Sequence, residues 1–556
     1  MNTPERPEFR LRNPVDDART LREVRGAMAA SEMSRAVLLA CRALDDGLTD
    51  PLLFYLRAQF LIQQGKQDEA VRDLNQAAML APADARMRIA CGAELIRLKR
   101  NSDAIDMLKE AVRLEPSLAP GHFNLGWAHE HAGELAPAAA CYEKAVALDS
   151  RYASALARLA GVALRLGDLP PARDYANRAL AIDPNEYHAL SIEVDVAMAQ
   201  NEPDRAEACV QRLLALQHLP PDDHAGALRL LGDLRHAQGR FAEAFEAYAS
   251  ANAETEEHFR PQFGRPGSES FTNYIAWLTA YFVRVSGERW RARADDIGNS
   301  VSLVKGHAFI AGFPRSGTTL LENILSAHPQ VTALGEKATM TDALRDLLSN
   351  EAGRDRLSEL TPVEAGKAQQ LYWRRVGEFG AVPDGKVFVD ENPLNTPWLP
   401  LVAKLFPRAR VIFTLRDPRD VVFSCFRRYF EMNLAMYEFV SLERAARFYA
   451  ATMQLAAIYR EKLGLAWIDV RHESLVQNFE EEMTRVCGFL GLPYDRAMRE
   501  FAKRARTRSI TTASAAQIVR GLNDAGVGQW RNYASALAPI LPILAPWVEK
   551  FGYPAD

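Results

Sequence analysis

Little in this chain points to a membrane, an oxidising compartment, a metal or a nucleic acid. Its 556 residues include 6 cysteines, scattered and without C-x-x-C spacing, so neither a disulfide framework nor a zinc site is indicated. No apolar run reaches the length of a membrane span; the best candidate, Leu537 to Val548, contains three prolines. A formal net charge of -4 makes no electrostatic case for a nucleic-acid partner. The opening Met1 to Pro7 lacks an apolar h-region, so the expectation is no secretory signal and a cytoplasmic location. The length exceeds what one core organises and predicts at least two domains.

What is present falls into two halves with different grammar. In the first, Ala36, Ala70, Ala104, Ala138, Ala172 and Ala206 stand 34 residues apart. Columns of Ala58, Gly92, Gly126 and Ala160, of Ala77, Ala111, Ala145 and Ala179, and of Pro82, Pro116, Ser150 and Pro184 keep the same period. Gly65, Gly133, Gly167 and Gly239 mark turns between helices. Period and small-residue columns resemble tetratricopeptide repeats (TPR), in which paired helices pack closely enough that alanine or glycine is needed at the crossing. Ala244 extends the pattern after a four-residue insertion around Leu219 to Asp222. The expected organisation is an N-terminal segment at 1–19, an array of six to seven repeats at 20–252, an aromatic-rich helical junction at 253–303 and an α/β domain at 304–556. Such arrays present a concave face, and the expectation is a protein or peptide bound there; packing on the chain's own second half and a homodimer remain open.

The second half alternates short apolar strands with helical stretches, which predicts a parallel sheet with ligand at the strands' C-terminal ends. The expected strands are His307–Phe313, Lys386–Asp390, Arg410–Arg416 and Ala466–Arg471. After the first comes Gly312-Phe313-Pro314-Arg315-Ser316-Gly317-Thr318-Thr319, a glycine-containing loop running into an amphipathic helix. That arrangement offers backbone N–H groups and a helix dipole to an anion. Thr318 stands where a nucleotide-triphosphate loop carries its lysine, which argues against a kinase and for a shorter anion met by Arg315. A second segment, Arg410 to Ser424, reads as a strand ending in Arg416, a turn at Asp417-Pro418 and a helix. Ser424 and Arg428, four apart on that helix, share a face and can reach one ligand, giving guanidinium forks and a hydroxyl for a phosphate.

The two blocks together resemble the phosphosulfate-loop sulfotransferases, nearer the tyrosylprotein and bacterial TPR-fused branch than the small-molecule enzymes. Residues 305–556 carry the resemblance, through Pro314–Leu320, His328-Pro329, Gly335-Glu336, Asp390 to Asn395, Arg416–Ser424 and the tail from Ser514 to Arg531. It implies a fold of TPR solenoid followed by an α/β P-loop-like domain. It also implies an enzyme that moves a sulfuryl group from 3'-phosphoadenosine-5'-phosphosulfate (PAPS) to a hydroxyl, with no metal. By the same resemblance Arg315, Ser316, Gly317, Thr318 and Thr319 hold the 5'-phosphosulfate, and Arg416, Ser424 and Arg428 the 3'-phosphate. Glu336 is the general base, because a phenol needs one at neutral pH, and Ser514 lies near the sulfuryl group. The acceptor it suggests is tyrosine in a protein or peptide. His328, at the end of the loop helix, reads as a capping residue rather than a base.

Two positions depart from the family pattern. Asp390-Glu391-Asn392-Pro393 has a carboxylate where a lysine is usual. Like charges about 4 Å apart repel by about 4 kcal/mol at an effective dielectric of 20, so Glu391 must swing away, pair with an arginine, yield its task to Lys337 or Lys386, or cripple turnover. His472 replaces an aromatic residue and could still stack on adenine. The alternative reading is therefore a TPR scaffold with a nucleotide-binding but catalytically impaired domain.

Overall fold

The structure, a computed structural model, describes residues 14–265, 267, 270–291, 304–340, 342–382, 385–507, 518 and 521–555. Ser514, expected near the sulfuryl group, lies outside the described residues, as do 1–13 and 292–303. Two compact units divide the chain: Met1–Leu164 with Asp168–Ile192, and Arg165–Gly167 with Glu193–Asp556.

The first unit is built of helical hairpins, among them Pro51–Gln63 with Gln67–Leu80, Ala85–Arg97 with Asn101–Leu114, and Ala119–Ala132 with Leu135–Leu148. Their periodic alanines, Ala70, Ala104 and Ala138, are fully buried. The small-residue column has a direct steric cause. A Cβ on Gly92 would lie 2.6 Å from Leu108 Cγ, and one on Gly126 would lie 2.8 Å from the Tyr142 ring and 3.1 Å from the Ala138 carbonyl oxygen. The turns need left-handed backbone: Gly65 and Gly133 sit at φ 74° and 83°. In hairpins without glycine there, Lys99 and Asn201 take φ 60° and 59° instead, so the geometry is set by the helix crossing and tolerates a strained residue.

The second unit holds a sheet of five parallel strands: β1 Gly306–Ala311, β2 Val331–Gly335, β3 Val387–Glu391, β4 Arg410–Leu415 and β5 Ala466–Arg471. Their order is β2-β3-β1-β4-β5. The four strands read from sequence are present, each within a few residues of its expected bounds; β2 was not expected. It is a five-residue run between a helix end and a charged loop, too short to carry a period. Central β1 pairs Ala308 with Val389 on one side and Arg410 on the other. Side chains alternate between two cores. Ala308 and Ile310 pack with Leu321, Ile324 and Val389 on one face, whereas Phe309 and Ala311 pack with Phe388, Val411 and Phe413 on the other.

That second core also takes in residues from the last repeat hairpin, α1 Pro221–Ala237 and α2 Phe241–Phe263, through Ala244 and Tyr248. Helix Phe271–Arg284 follows, with Ile275, Leu278, Tyr281 and Phe282 buried, and Trp290 is fully buried. The chain leaves β1 toward β2 and β3 and then crosses to β4. Its crevice therefore opens where the connections after β1 and β4 diverge, which is where α/β sheets bind ligands. Among the described residues no helix is long and apolar enough to cross a membrane.

Gly126→Val tests the close packing of the repeats. Overfilling the Tyr142 contact should cost about 1–3 kcal/mol, read as a lower denaturation midpoint in urea with an unchanged slope.

Candidate active site

Two strand ends build the site. Beyond β1 the chain turns through Gly312 to Gly317 into α3, Thr318–Ser326; beyond β4 it turns through Arg416 and Asp417 into α4, Pro418–Phe426. The first loop needs its glycines. A Cβ on Gly312 (φ 157°) would strike Thr414, and one on Gly317 (φ 103°) would lie 3.0 Å from His472 Nδ1. Arg315 itself is held at φ 69°. Ser316 Oγ donates to the Phe313 carbonyl at 2.7 Å and lies 2.6 Å from Thr414 Oγ1, so this hydroxyl pins the loop to β4. The first N–H groups of α3 have no intrahelical acceptor, as at any helix start.

Arg315, Gly317, Leu320, Arg416, His472, Ile518, Gly521, Asn523 and Gly526 line a half-open cleft with a cavity volume of about 60 Å³. Its charge is one-sided. Arg315 Nε donates to Ser424 Oγ at 3.0 Å, and Arg416 Nη1 donates to the Arg315 carbonyl at 3.1 Å. Arg416 Nη2 takes the Gly526 carbonyl, while the buried Nε has no partner. Burial, then Arg428, Arg416 and Arg427, pull the Arg315 guanidinium down to about 9. Among the described residues the Arg416 guanidinium is bonded to carbonyl oxygens rather than a carboxylate, an environment that suits an anionic ligand. Burial and the same arginines drop His472 to about 3, so its imidazole is neutral and its Nδ1 is buried without a partner.

The second motif is braced by carboxylates. Asp417 caps α4 by accepting from Arg419 N at 3.0 Å and pairs with the Arg419 guanidinium at 2.8 and 2.9 Å. That guanidinium lies 3.8 Å over the Trp530 ring. Asp420 accepts from the backbone N–H groups of Gly528 (2.6 Å) and Trp530 (2.8 Å), fastening the tail whose Gly526 closes the cleft. Helix α4 ends at Phe426, so Arg428 is reached in the turn beyond it and not as a helical i+4 partner of Ser424. It pairs with Asp233 at 3.0 Å. Among the expected residues, then, Arg315, Gly317, Arg416 and His472 line the cleft, Ser424 supports Arg315, and Arg428 points to a carboxylate of the repeat hairpin.

Glu336 follows β2 in left-handed backbone at φ 42°. Its N–H donates to the Glu391 carbonyl oxygen at 2.6 Å and to Glu391 Oε2 at 3.1 Å. Its carboxylate accepts from Thr319 Oγ1 at 3.1 Å, which ties it to the loop helix. Surrounding protein raises its pKa, opposed by the Thr319 hydroxyl and Arg315; because Glu336 also reaches solvent, the shift is damped. Glu391 is fully buried. Burial first, then Glu336 and Glu322, push its pKa well above the carboxylate range, which favours the neutral acid. Protonation would relieve the repulsion expected of a charged Glu391. Lys337 lies 6.0 Å from the Phe379 ring centre. His328, buried, bonds the Pro493 carbonyl at 3.0 Å and accepts from Gln330 N, a local structural role.

Asp233, Asp420, Asn523 and Gly526 were not singled out from sequence. Asp233 comes from a segment with no motif of its own, and the other three lie inside blocks read for other residues; tertiary packing brings them to the site.

Residues 308–496 match the sulfotransferase family, and tetratricopeptide repeats match at 53–84, 119–152, 137–187 and 193–257. A "Putative protein-tyrosine sulfotransferase" of Caenorhabditis briggsae is 27% identical over 259 residues, covering 44% of this chain and 88% of that protein. "Protein-tyrosine sulfotransferase 1" of Danio rerio is 26% identical over 260 residues, covering 44% of this chain and 71% of that one. An uncharacterised Aquifex aeolicus protein is 26% identical over 255 residues, and there the match spans only 33% of the relative's length. Among solved structures, PilW, a type IV pilus biogenesis factor, aligns over 39% of this chain and all of its own at 19% identity and a TM-score of 0.34.

The protonation of Glu391 has a measurable consequence. A carboxyl with a raised folded pKa contributes stability below its unfolded pKa and loses it as pH rises through the folded value. Glu391→Gln, which keeps the shape of the neutral acid, should match the parent in thermal melts near pH 4. Its advantage should grow toward pH 8, by up to about 1.4 kcal/mol per pH unit while the parent's residue is held protonated.

Proposed function

We propose that this chain, whose residues 308–496 form a sulfotransferase-family domain behind an array of tetratricopeptide repeats, transfers a sulfuryl group from PAPS to a hydroxyl. The acceptor is a tyrosine in a protein or peptide brought by the repeats. The observation that carries the reading is the cleft at the ends of β1 and β4, where Arg416, bonded to carbonyl oxygens among the described residues, stands beside the glycine loop.

The residues fit the donor. Arg416 has a buried, unpartnered Nε, and neither Gly317 nor Gly526 admits a Cβ without pressing on His472 or Arg416. The loop from Arg315 to Thr319 would hold the 5'-phosphosulfate, with Arg416, Ser424 and Arg428 on the 3'-phosphate and His472 against the adenine. When bound, PAPS supplies an activated sulfuryl group whose sulfur–oxygen bond to phosphate breaks as a bond to the acceptor oxygen forms. Glu336 takes the acceptor's proton, and the Thr319 hydroxyl keeps the carboxylate aimed at the loop. Arg315 and the N–H groups of α3 balance the negative charge that gathers on the departing phosphate. The alternative is a scaffold crippled at Glu391 by a repulsive charge; burial pushes that carboxyl toward its neutral form, which supports a working transferase.

The test pairs binding with turnover. Arg315→Ala and Arg416→Ala should each weaken 3',5'-ADP binding roughly 10- to 100-fold, the worth of a charge-assisted hydrogen bond. Glu336→Gln should keep that affinity within about threefold and lower sulfuryl transfer to a tyrosyl peptide by at least about 10²-fold. Because the base must be ionised and its pKa is raised, the parent's kcat/KM should climb with pH along a limb above the ordinary glutamate range. Unaltered transfer in Glu336→Gln would remove it from the mechanism.

A further inference from the structure

The last repeat hairpin brings a carboxylate to the arginines of the cleft. Asp233, on α1, accepts from Arg428 Nη1 at 3.0 Å, stands 4.0 Å from Arg427 Nη2 and accepts from Tyr248 Oη, on α2, at 2.7 Å. Its side chain is only 22% exposed. The same hairpin grips the backbone where these arginines begin: Asn252 Nδ2 donates to the Phe426 carbonyl at 2.7 Å. Arg229 in turn donates to Asn252 Oδ1 at 3.0 Å. The turn after α4 is therefore fixed at its backbone and at both of its guanidinium groups.

The charges make this more than a structural brace. Arg315, Arg416, Arg427 and Arg428 form one cluster, in which the other three each oppose the charge on Arg315. Asp233 forms ion pairs with two of the four, Arg428 and Arg427, and Asp195 adds a weaker attraction on Arg428. Charge paired with Asp233 is withheld from a ligand, and a phosphate drawn to Arg428 must come up against the carboxylate that already holds it.

We infer that Asp233 is a specificity-determining residue of the nucleotide site: it competes with the ligand's 3'-phosphate for Arg428, so a residue of the repeat array sets how strongly that phosphate is selected. The inference rests on the assignment of Arg416, Ser424 and Arg428 to a 3'-phosphate. Asp233 does not touch the reacting atoms; it acts through Arg428 and is a positioning residue.

Calorimetric titration of the full chain with 3',5'-ADP and with 5'-ADP, which lacks the 3'-phosphate, tests it. Asp233→Asn should bind 3',5'-ADP roughly three- to tenfold more tightly, as expected for removing one partly screened like charge. Affinity for 5'-ADP should stay within about twofold. In Arg428→Ala the 3'-phosphate preference should fall, and adding Asp233→Asn to that background should bring no gain. Weaker 3',5'-ADP binding in Asp233→Asn, an equal gain for both nucleotides, or a gain that survives without Arg428 would each overturn the inference. If Asp233→Asn does not fold, Asp233→Ser is carried through the same titrations. A parent chain that prefers 3',5'-ADP while Asp233→Asn changes nothing sinks this inference alone; a parent with no such preference removes the nucleotide assignment and the inference together.

Discussion

Concentrated positive charge at the ends of β1 and β4 is the constraint on which the second unit depends. Guanidinium groups from Arg315 and Arg416 meet at the mouth of the sheet, and Arg427 and Arg428 stand behind them. Burying like charges together is costly unless something opposite arrives. The protein answers with Asp233 on the rear pair, with Glu336 and Asp420 attracting Arg315 and Arg416, and with backbone carbonyls and the Ser424 hydroxyl on the front pair. Among the described residues no carboxylate bonds the Arg416 guanidinium directly, a shortage of negative charge that suits an anion.

Holding that shortage in place takes rigidity, which comes from strain and from carboxylates used as fasteners. Arg315 and Glu336 both occupy left-handed backbone, a conformation that costs a non-glycine residue about 1–3 kcal/mol and persists where surroundings overdetermine it. For Glu336 the surroundings are visible: its N–H is taken twice by Glu391, once by main chain and once by side chain. Burial favours the neutral form of Glu391, in which it can sit under Glu336 without repelling it. Asp417 and Asp420 perform the matching task on the other side, capping α4 and tying down the 526–530 tail. The acids of this domain serve mainly to fix the positions of arginines and of one another.

Much of this was legible in the sequence because it is local. The 34-residue columns are visible as letters, and the structure supplies their reason in the contacts that Gly92 and Gly126 leave no room to change. Strand, glycine loop and helix are contiguous, so the loop from Gly312 to Thr319 could be placed before any coordinates. Other features depend on distance. β2 is too short to show a period, and the end of α4 at Phe426 is settled by Asn252 holding its last carbonyl from 174 residues away. The charge state of Glu391 is a property of burial, invisible in the letter E.

The position of the last repeat hairpin bears on what a repeat array contributes to such a protein. An adaptor tethered to a catalytic domain would leave the domain's core complete without it. Here Ala244 and Tyr248 of α2 belong to the same buried cluster as Phe309 and Phe413 of the sheet, and His236 of α1 bonds Tyr533 at 2.8 Å. Removing the hairpin would expose that cluster and leave Arg427 and Arg428 without Asp233. Deletion from the N-terminus can therefore leave the second unit whole only if the cut falls before Glu193, where that unit resumes. A cut after the hairpin removes part of the catalytic unit itself.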